Sequence, residues 1–236
     1  MGVIVDRSAP KSIFDELLKL NIDYIKSFDL KNLYHPVNTH PDMQIHFVCD
    51  KTAVVAPEAY DYYKEALPKE IKLIKGVKSP ESKYPFDIGY NVARVGKKII
   101  GKLDFVDPVI KDIYQSQGYE LINVNQGYAK CSLCVVDENS VITEDEGLFR
   151  ALSQKMDVLK VESGNVALKG FENGFLGGAS GFLGKNKLAF FGDIKLHPNY
   201  NDIKFFTEER KIDIITLSST KLEDFGSILY FSNGRE

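Results

Sequence analysis

The sequence predicts an α/β propeller, a single domain over residues 1–236 built as a five-fold pseudosymmetric ring of ββαβ units. Three observations lead there. From His40 onward one pattern recurs: two short β-rich runs joined by a tight polar turn, then an amphipathic helix, then a third short apolar run. The C-terminus offers one strand and stops, while the N-terminus offers a strand, a helix and a further strand, so the two ends complete a fifth unit. A ring closed in this way removes the exposed sheet edges of an open array. A doubly wound parallel sheet, the main competitor, expects one strand before each helix; here a hairpin precedes it.

In the first unit Met43–Cys49 turns at Asp50-Lys51 into Thr52–Val55, a helix follows over Glu58–Leu67, and Ile71–Ile74 is the third strand. The second reads Ile88–Val95, a turn at Gly96-Lys97, Lys98–Ile100, a helix over Val106–Ser116 and Glu120–Val124. The third runs Lys130–Val136, through Asp137–Asn139 into Ser140–Thr143, then a helix near Glu144–Gln154 and Asp157–Val161. The fourth has Gly177–Leu183, a turn at Lys185-Asn186, Lys187–Phe191, a helix near Asn201–Glu209 and Asp213–Leu217. The fifth joins Gly226–Phe231 to Val3–Val5, a helix near Lys11–Leu20 and Ile22–Ile25, with Ser8 as candidate N-cap and Pro10 near the first turn. Gly, Asn or Asp in the turns tolerates positive φ. Apolar residues three and four apart, as at Val109, Ile110, Ile113 and Tyr114, give each helix one face to bury. His35–Asp42, with Pro36 and Pro41, reads as the linker between the fifth unit and the first.

Composition excludes several classes. With 44% hydrophobic and 27% charged residues and a formal charge of −3, the chain shows no run of Lys and Arg of the kind nucleic acid requires. No apolar stretch approaches the roughly 20 residues that span a bilayer. The start, Met1-Gly2-Val3-Ile4-Val5-Asp6, lacks the features of a signal peptide and the Ser or Thr of a myristoylation motif. Three cysteines do not make a disulfide framework. The expectation is a reduced, cytoplasmic protein with a small-molecule ligand, no nucleic-acid or membrane partner and an open oligomeric state.

Several segments resemble one family. Phe47-Val48-Cys49-Asp50, followed by Thr52–Pro57, is similar to the Phe-Val-x-Asp hairpin of dimethylarginine dimethylaminohydrolases, a branch of the pentein superfamily of guanidino-group-modifying enzymes. Gly89-Tyr90-Asn91-Val92-Ala93-Arg94-Val95-Gly96 resembles their Gly-Gly-Asp-Val-x-x-x-Gly strand, and Tyr128-Ala129-Lys130-Cys131-Ser132 their His-x-Lys-Thr-Gly segment. Asp224–Phe231 looks like their last strand. The resemblance implies attack by a cysteine thiolate on a guanidinium carbon, proton transfer by a histidine, and acidic residues that pair with the cationic group. It also places the cysteine at Gly226 or Ser227, the histidine at Tyr128 and a glutamate at Ile88, beside Asp87. Asp50 matches an acidic position, and Asn91 stands where the family has aspartate. The standard Cys-His-Glu site is therefore expected to be degenerate.

Cys131 and Cys134 form a C-x-x-C inside a predicted strand, where residues three apart point to opposite faces. Small buried hydrophobes are the better reading than zinc ligands; the remaining role is Cys131 as a displaced nucleophile, which needs a depressed pKa, with Lys130 as a source. His35, His40 and His46 lie in one segment with Asp42, without the helical spacing of a zincin, and no metal is predicted. Asp42 and His46 stand at the entrance of the first inner strand. Gly174, Gly177, Gly178, Gly181 and Gly184, with Ser180, suggest close backbone approach rather than a phosphate cradle, since no Walker Lys-Ser/Thr follows. Tyr60, Tyr62, Tyr63, Phe205 and Phe206 read as core. No cofactor motif is present.

The expected site residues are Cys131 and His46 as a catalytic pair, and Asp42, Asp50, Asp87, Asn91, Tyr128, Lys130, Ser180 and Ser227 as ligand-binding residues. The first functional reading is binding of a small guanidino- or amidine-like molecule in the central channel. The others are a divergent hydrolase or amidinotransferase using Cys131 with His46 and Asp42 or Asp87, and a non-catalytic interaction scaffold; some penteins, such as a ribosomal anti-association factor, are not enzymes.

Overall fold

The five middle strands explain the architecture: each carries an almost unbroken apolar run, buried along nearly its whole length, because strands flank it on both sides. The computed structural model describes residues 1–184 and 186–232. The N-terminal segment forms β1 (Gly2–Val5), α1 (Lys11–Lys19) and β2 (Asp23–Lys26). The first unit is β3 (Ile45–Cys49), β4 (Thr52–Val55), α2 (Tyr60–Ala66) and β5 (Lys72–Lys75). The second is β6 (Ala93–Val95), β7 (Lys98–Gly101), α3 (Pro108–Ser116) and β8 (Glu120–Asn123). The third is α4 (Ala129–Ser132), β9 (Cys134–Val135), β10 (Ser140–Thr143), α5 (Glu146–Leu152) and β11 (Asp157–Lys160). The fourth is β12 (Ser180–Phe182), β13 (Lys187–Phe190), α6 (Tyr200–Glu208) and β14 (Asp213–Thr216), and the chain's last strand is β15 (Leu229–Phe231).

These strands form five three-stranded sheets, in each of which the middle strand pairs antiparallel to the inner strand and parallel to the strand after the helix. The sheet made from both chain ends has the order β15-β1-β2, with Gly2 opposite Phe231 and Ile4 opposite Leu229. The apolar residues divide into five clusters, each shared by two neighbouring units. Val48 and Val54 of the first unit meet Tyr90, Ile99 and Tyr114 of the second. Val95 and Ile122 meet Leu133 and Leu148 of the third. Cys134 and Val161 meet Phe190 and Ile203 of the fourth, and Phe191 and Leu217 meet Val3 and Phe14 of the fifth. Ile4 and Phe231 meet Ile45 and Tyr63 of the first, and the circuit is complete.

The inner strands are shorter than the sequence suggests. Ile88–Val95 yields only Ala93–Val95, Gly177–Leu183 only Ser180–Phe182, and Gly226–Phe231 only Leu229–Phe231. Lys130–Val136 is corrected most: it starts as helix α4, and only Cys134–Val135 is strand. The lost portions lie where the units converge and the backbone leaves the ladder. Gly226 (φ 68°) and Ser227 (φ 70°) adopt left-handed conformations that a strand does not accommodate. His35–Asp42 is more than a linker: it carries two 3₁₀ turns, Val37–Thr39 and Pro41–Met43, and buries His40 and Asp42. Ser8 is not the N-cap of α1, a position held by Pro10; the Ser8 amide instead donates to Asp6 Oδ1 at 2.7 Å. Tyr63 is core, as expected, but Phe205 is exposed, because it falls on the outward side of α6. Lys185 of the fourth hairpin turn lies outside the described residues.

Phe231 ties this ring shut: it is buried, stacks on Phe47 at 6.2 Å, and leaves no room for a side chain at Gly2. Phe231→Ala is expected to cost about 3–5 kcal/mol, and Phe205→Ala within about 0.5 kcal/mol, both measured by urea unfolding. Equal costs would contradict the closing role of β15.

Candidate functional site

At the centre of the ring, polar side chains meet one another and the Gly177 carbonyl of the fourth unit. Asp42, at the Pro41–Met43 turn, donates its amide to the Gly226 carbonyl (3.3 Å) and is 1% exposed. Its Oδ2 accepts from Ser227 Oγ at 2.7 Å and from the Cys131 thiol at 3.0 Å. Its Oδ1 has no partner among the described residues. Asn91 braces the start of α4: Oδ1 accepts from the Lys130 amide at 2.8 Å, and Nδ2 donates to Cys131 Sγ at 3.1 Å. Lys130 Nζ donates to Ser227 Oγ at 3.0 Å, and that hydroxyl also lies 3.0 Å from the Gly177 carbonyl. Five of the expected residues, Asp42, Asn91, Lys130, Cys131 and Ser227, thus form one network.

A second pair adjoins it. Tyr128, the residue before α4, donates to Asp87 Oδ2 at 2.6 Å, and Asp87 Oδ1 is buried without a partner among the described residues. The rings of Tyr84 and Phe175 flank Tyr128 at 5.7 and 6.4 Å. The remaining expected residues are dispersed. Ser180 Oγ faces the Gly177 carbonyl at 3.4 Å, and Asp50 is exposed on the β3–β4 turn. His46 Nε2 is bonded to the Tyr114 hydroxyl at 2.7 Å. His35 is exposed and His40 buried elsewhere, so the three histidines do not converge.

A cavity of about 670 Å³ runs between the inner strands and opens among the hairpin turns. Asp42, His46, Lys130 and Ser180 line its interior and Asp50 its mouth, whereas Asp87, Asn91, Tyr128, Cys131 and Ser227 lie outside its lining.

Over residues 4–229 the sequence matches the model of a family of unknown function, DUF6873. The chain belongs to that family. No curated protein matches it. Among solved structures it is similar to an amidinotransferase of saxitoxin biosynthesis from Microseira wollei, with 11% identity and a TM-score of 0.57 over 96% of this chain and 80% of that one. It is similar also to dimethylarginine dimethylaminohydrolase from Pseudomonas aeruginosa, with 9% identity and a TM-score of 0.52 over 91% of each chain. An agmatine deiminase from C. jejuni gives 10% identity and 0.52 over 92% and 86%. At such identities the likeness is one of fold: this member of the family has the pentein fold of five repeated units.

The geometry does not assemble Cys131 and His46 into a catalytic pair. Cys131 is on α4 rather than in a strand, and its thiol is hydrogen-bonded to Asp42, while the His46 Nε2 faces Tyr114. The depressed thiol pKa that a nucleophile needs is reversed. Burial, then the negative charges of Asp42 and Asp224, push Cys131 well above the usual thiol range. His46 is driven down to about 3 by burial and by the positive charges of Arg94 and Lys130, so it is neutral at physiological pH.

Sequence reasoning missed a group behind the network. His40 lies 3.8 Å from Asp6 Oδ2 and 3.9 Å from Asp224 Oδ1, all three buried. Asp224 accepts from the Gly226 and Phe175 amides at 2.9 and 3.0 Å and so positions the turn that carries Ser227. No spacing links residues 6, 40 and 224, although Asp224 stands in the segment resembling the last pentein strand. Glu144 was missed as well. Its Oε2 accepts from the Leu176 amide at 2.9 Å, its Oε1 has no partner among the described residues, and burial lifts its pKa to about 7.

Two outcomes follow from these environments. Cys49 is exposed, whereas Cys131 and Cys134 are buried, with the Cys134 thiol pushed up to about 11. A disulfide reagent at pH 7.5 should titrate one thiol in the native protein and three after denaturation; rapid reaction of Cys131 would contradict its environment. Glu144 has a folded pKa raised above its unfolded value, so its burial penalty is absent below about pH 4.5 and complete above about pH 7. Glu144→Gln should therefore gain about 2–3 kcal/mol relative to the parent between pH 4.5 and pH 8. Urea titrations at the two pH values measure this, and a pH-independent effect would refute it.

Proposed function

We propose that the ring binds a small molecule with a guanidino- or amidine-like end in its central channel, without thiol–imidazole hydrolase chemistry. The observation that carries this reading is the half-satisfied carboxylate of Asp42: buried, fixed through Oδ2 by Ser227 and Cys131, with Oδ1 unpartnered among the described residues. A buried acceptor left unmade costs about 1–3 kcal/mol, which a planar cation with several N–H donors recovers. Asp87 has the same form, one oxygen held by Tyr128 and the other without a partner among the described residues. The fold relatives add support, since they are a dimethylarginine hydrolase, an amidinotransferase and an agmatine deiminase.

Two features weigh against a divergent enzyme acting through Cys131. Its proton is shared with a carboxylate, and a second carboxylate, Asp224, opposes thiolate formation. The imidazole that would accept the proton is neutral but occupied by Tyr114.

Thermal shift with agmatine, arginine and acetamidine tests the reading. A ligand at 100 times its Kd adds about 2.7 kcal/mol, which for a chain of this length raises Tm by about 5–10 °C. The shift should vanish in Asp42→Asn, whose carboxylate lines the cavity. Silence from all three compounds, or a shift that survives this substitution, would defeat the proposal.

A further inference from the structure

The cavity at the hairpin-turn end has a charge pattern that the cation reading does not use. Arg94 lies on β6 between Ala93 and Val95, whose side chains are buried in the core shared with the third unit. The alternation of a strand turns Arg94 to the opposite side, where it lines the cavity. Its Nη1 donates to the Val48 carbonyl at 2.8 Å, which anchors the guanidinium across the gap between two units. Lys130 reaches the same cavity from α4, tethered by its bond to Ser227 Oγ. Both cations are half-buried, and among the described residues neither has a carboxylate within 4 Å. Both positive charges, after burial, help to hold the pKa of the His46 imidazole down.

None of the neighbouring acids pairs directly with either cation among the described residues. Asp42, which lines the same cavity, keeps its negative charge but is separated from Lys130 by the Ser227 hydroxyl that bonds to both. Asp50 and Glu138 are exposed at the mouth, and Asp137 is drawn outward to Arg210 at 3.6 Å. Lys97, also at the mouth, lies over the Tyr119 ring at 4.4 Å. Going inward from the turns, the cavity passes from mixed, solvated charge to two cations held between apolar walls such as Ile45, Val92 and Ile228. A low-dielectric cleft of that kind focuses the field on an entering anion, and a guanidinium anchored by one N–H keeps its others for bidentate contact with an oxyanion.

We propose that the hairpin-turn mouth of the ring admits a small molecule bearing a carboxylate or phosphate group, which Arg94 and Lys130 hold inside the cavity. The two readings share the cavity but not the ligand chemistry: phosphate carries no guanidinium and agmatine no oxyanion, so failure of one probe leaves the other reading standing.

The test is calorimetric titration of the full chain with inorganic phosphate and with succinate at low ionic strength. Saturable binding of either is expected, with the tighter probe naming the oxyanion class. Affinity should fall at least tenfold in Lys130→Met and in Arg94→Gln, recover in part in Arg94→Lys, and stay unchanged in Lys204→Gln, which alters an exposed lysine on α6. Melting temperatures of the variants separate loss of binding from loss of folding, because Arg94→Gln also removes the bond to Val48. Absence of saturable binding by both probes overturns the proposal. So does affinity that falls equally in Lys204→Gln, or that survives both Lys130→Met and Arg94→Gln.

Discussion

Every unit of this ring depends on its neighbours for a core. A segment of some forty residues, with three short strands and one short helix, is too small to bury enough apolar surface alone. The structure answers by placing all five apolar clusters between units rather than within them. The consequence is cooperative. Removing any one interface exposes the faces of two units, and the interface formed by both chain ends is no exception, since Ile4 and Phe231 are buried in one cluster with Ile45 and Tyr63. Pairing of β15 with β1 is therefore a structural requirement of the whole ring.

Closure dictates what happens at the centre. Inner strands brought together around one axis leave little room, and the backbone pays with glycine. A side chain at Gly177 would lie 2.5 Å from the carbonyls of Cys131 and Leu133, and one at Gly226 would lie 2.3 Å from His40. Where the strands stop pairing, their amides and carbonyls need other partners, and side-chain carboxylates supply them: Asp224 for the amides of Phe175 and Gly226, Glu144 for that of Leu176. Burial of acids here is thus a product of the ring geometry. Burial first, and then the charges of Asp42 and Asp224, hold the Cys131 thiol protonated.

This division explains what was legible beforehand. Hairpin, helix and third strand follow local rules of periodicity and turn chemistry, so Thr52–Val55 and Ser140–Thr143 emerge with the predicted bounds. The segments at the axis obey long-range packing. Lys130–Val136 has the composition of a strand, yet Asn91, some forty residues away, caps the amide of Lys130 and turns the segment into α4. Asp42, chosen at the entrance of an inner strand, and Asn91 and Ser227, chosen from the family resemblance, do converge. The pairing of Cys131 with His46 failed because sequence spacing carries no information about Tyr114, which takes the imidazole. His40 between Asp6 and Asp224 was invisible for the same reason.

The centre also shows how one scaffold can separate two kinds of recognition. On one side of Ser227 lies the carboxylate of Asp42, on the other the ammonium of Lys130, and the hydroxyl accepts from the lysine while it donates toward the acid. A direct Asp42–Lys130 ion pair would neutralise both charges and leave nothing for a ligand to meet. The intervening serine keeps them apart yet satisfies one bond of each, so Asp42 retains an unpartnered oxygen among the described residues and Lys130 retains N–H donors toward the cavity. The left-handed backbone of Ser227, sparsely populated for a residue with a side chain, is the cost of aiming that hydroxyl. Strain at this one position is borne by the turn that Asp224 fixes, which links the hidden acid behind the network to the charges displayed in front of it.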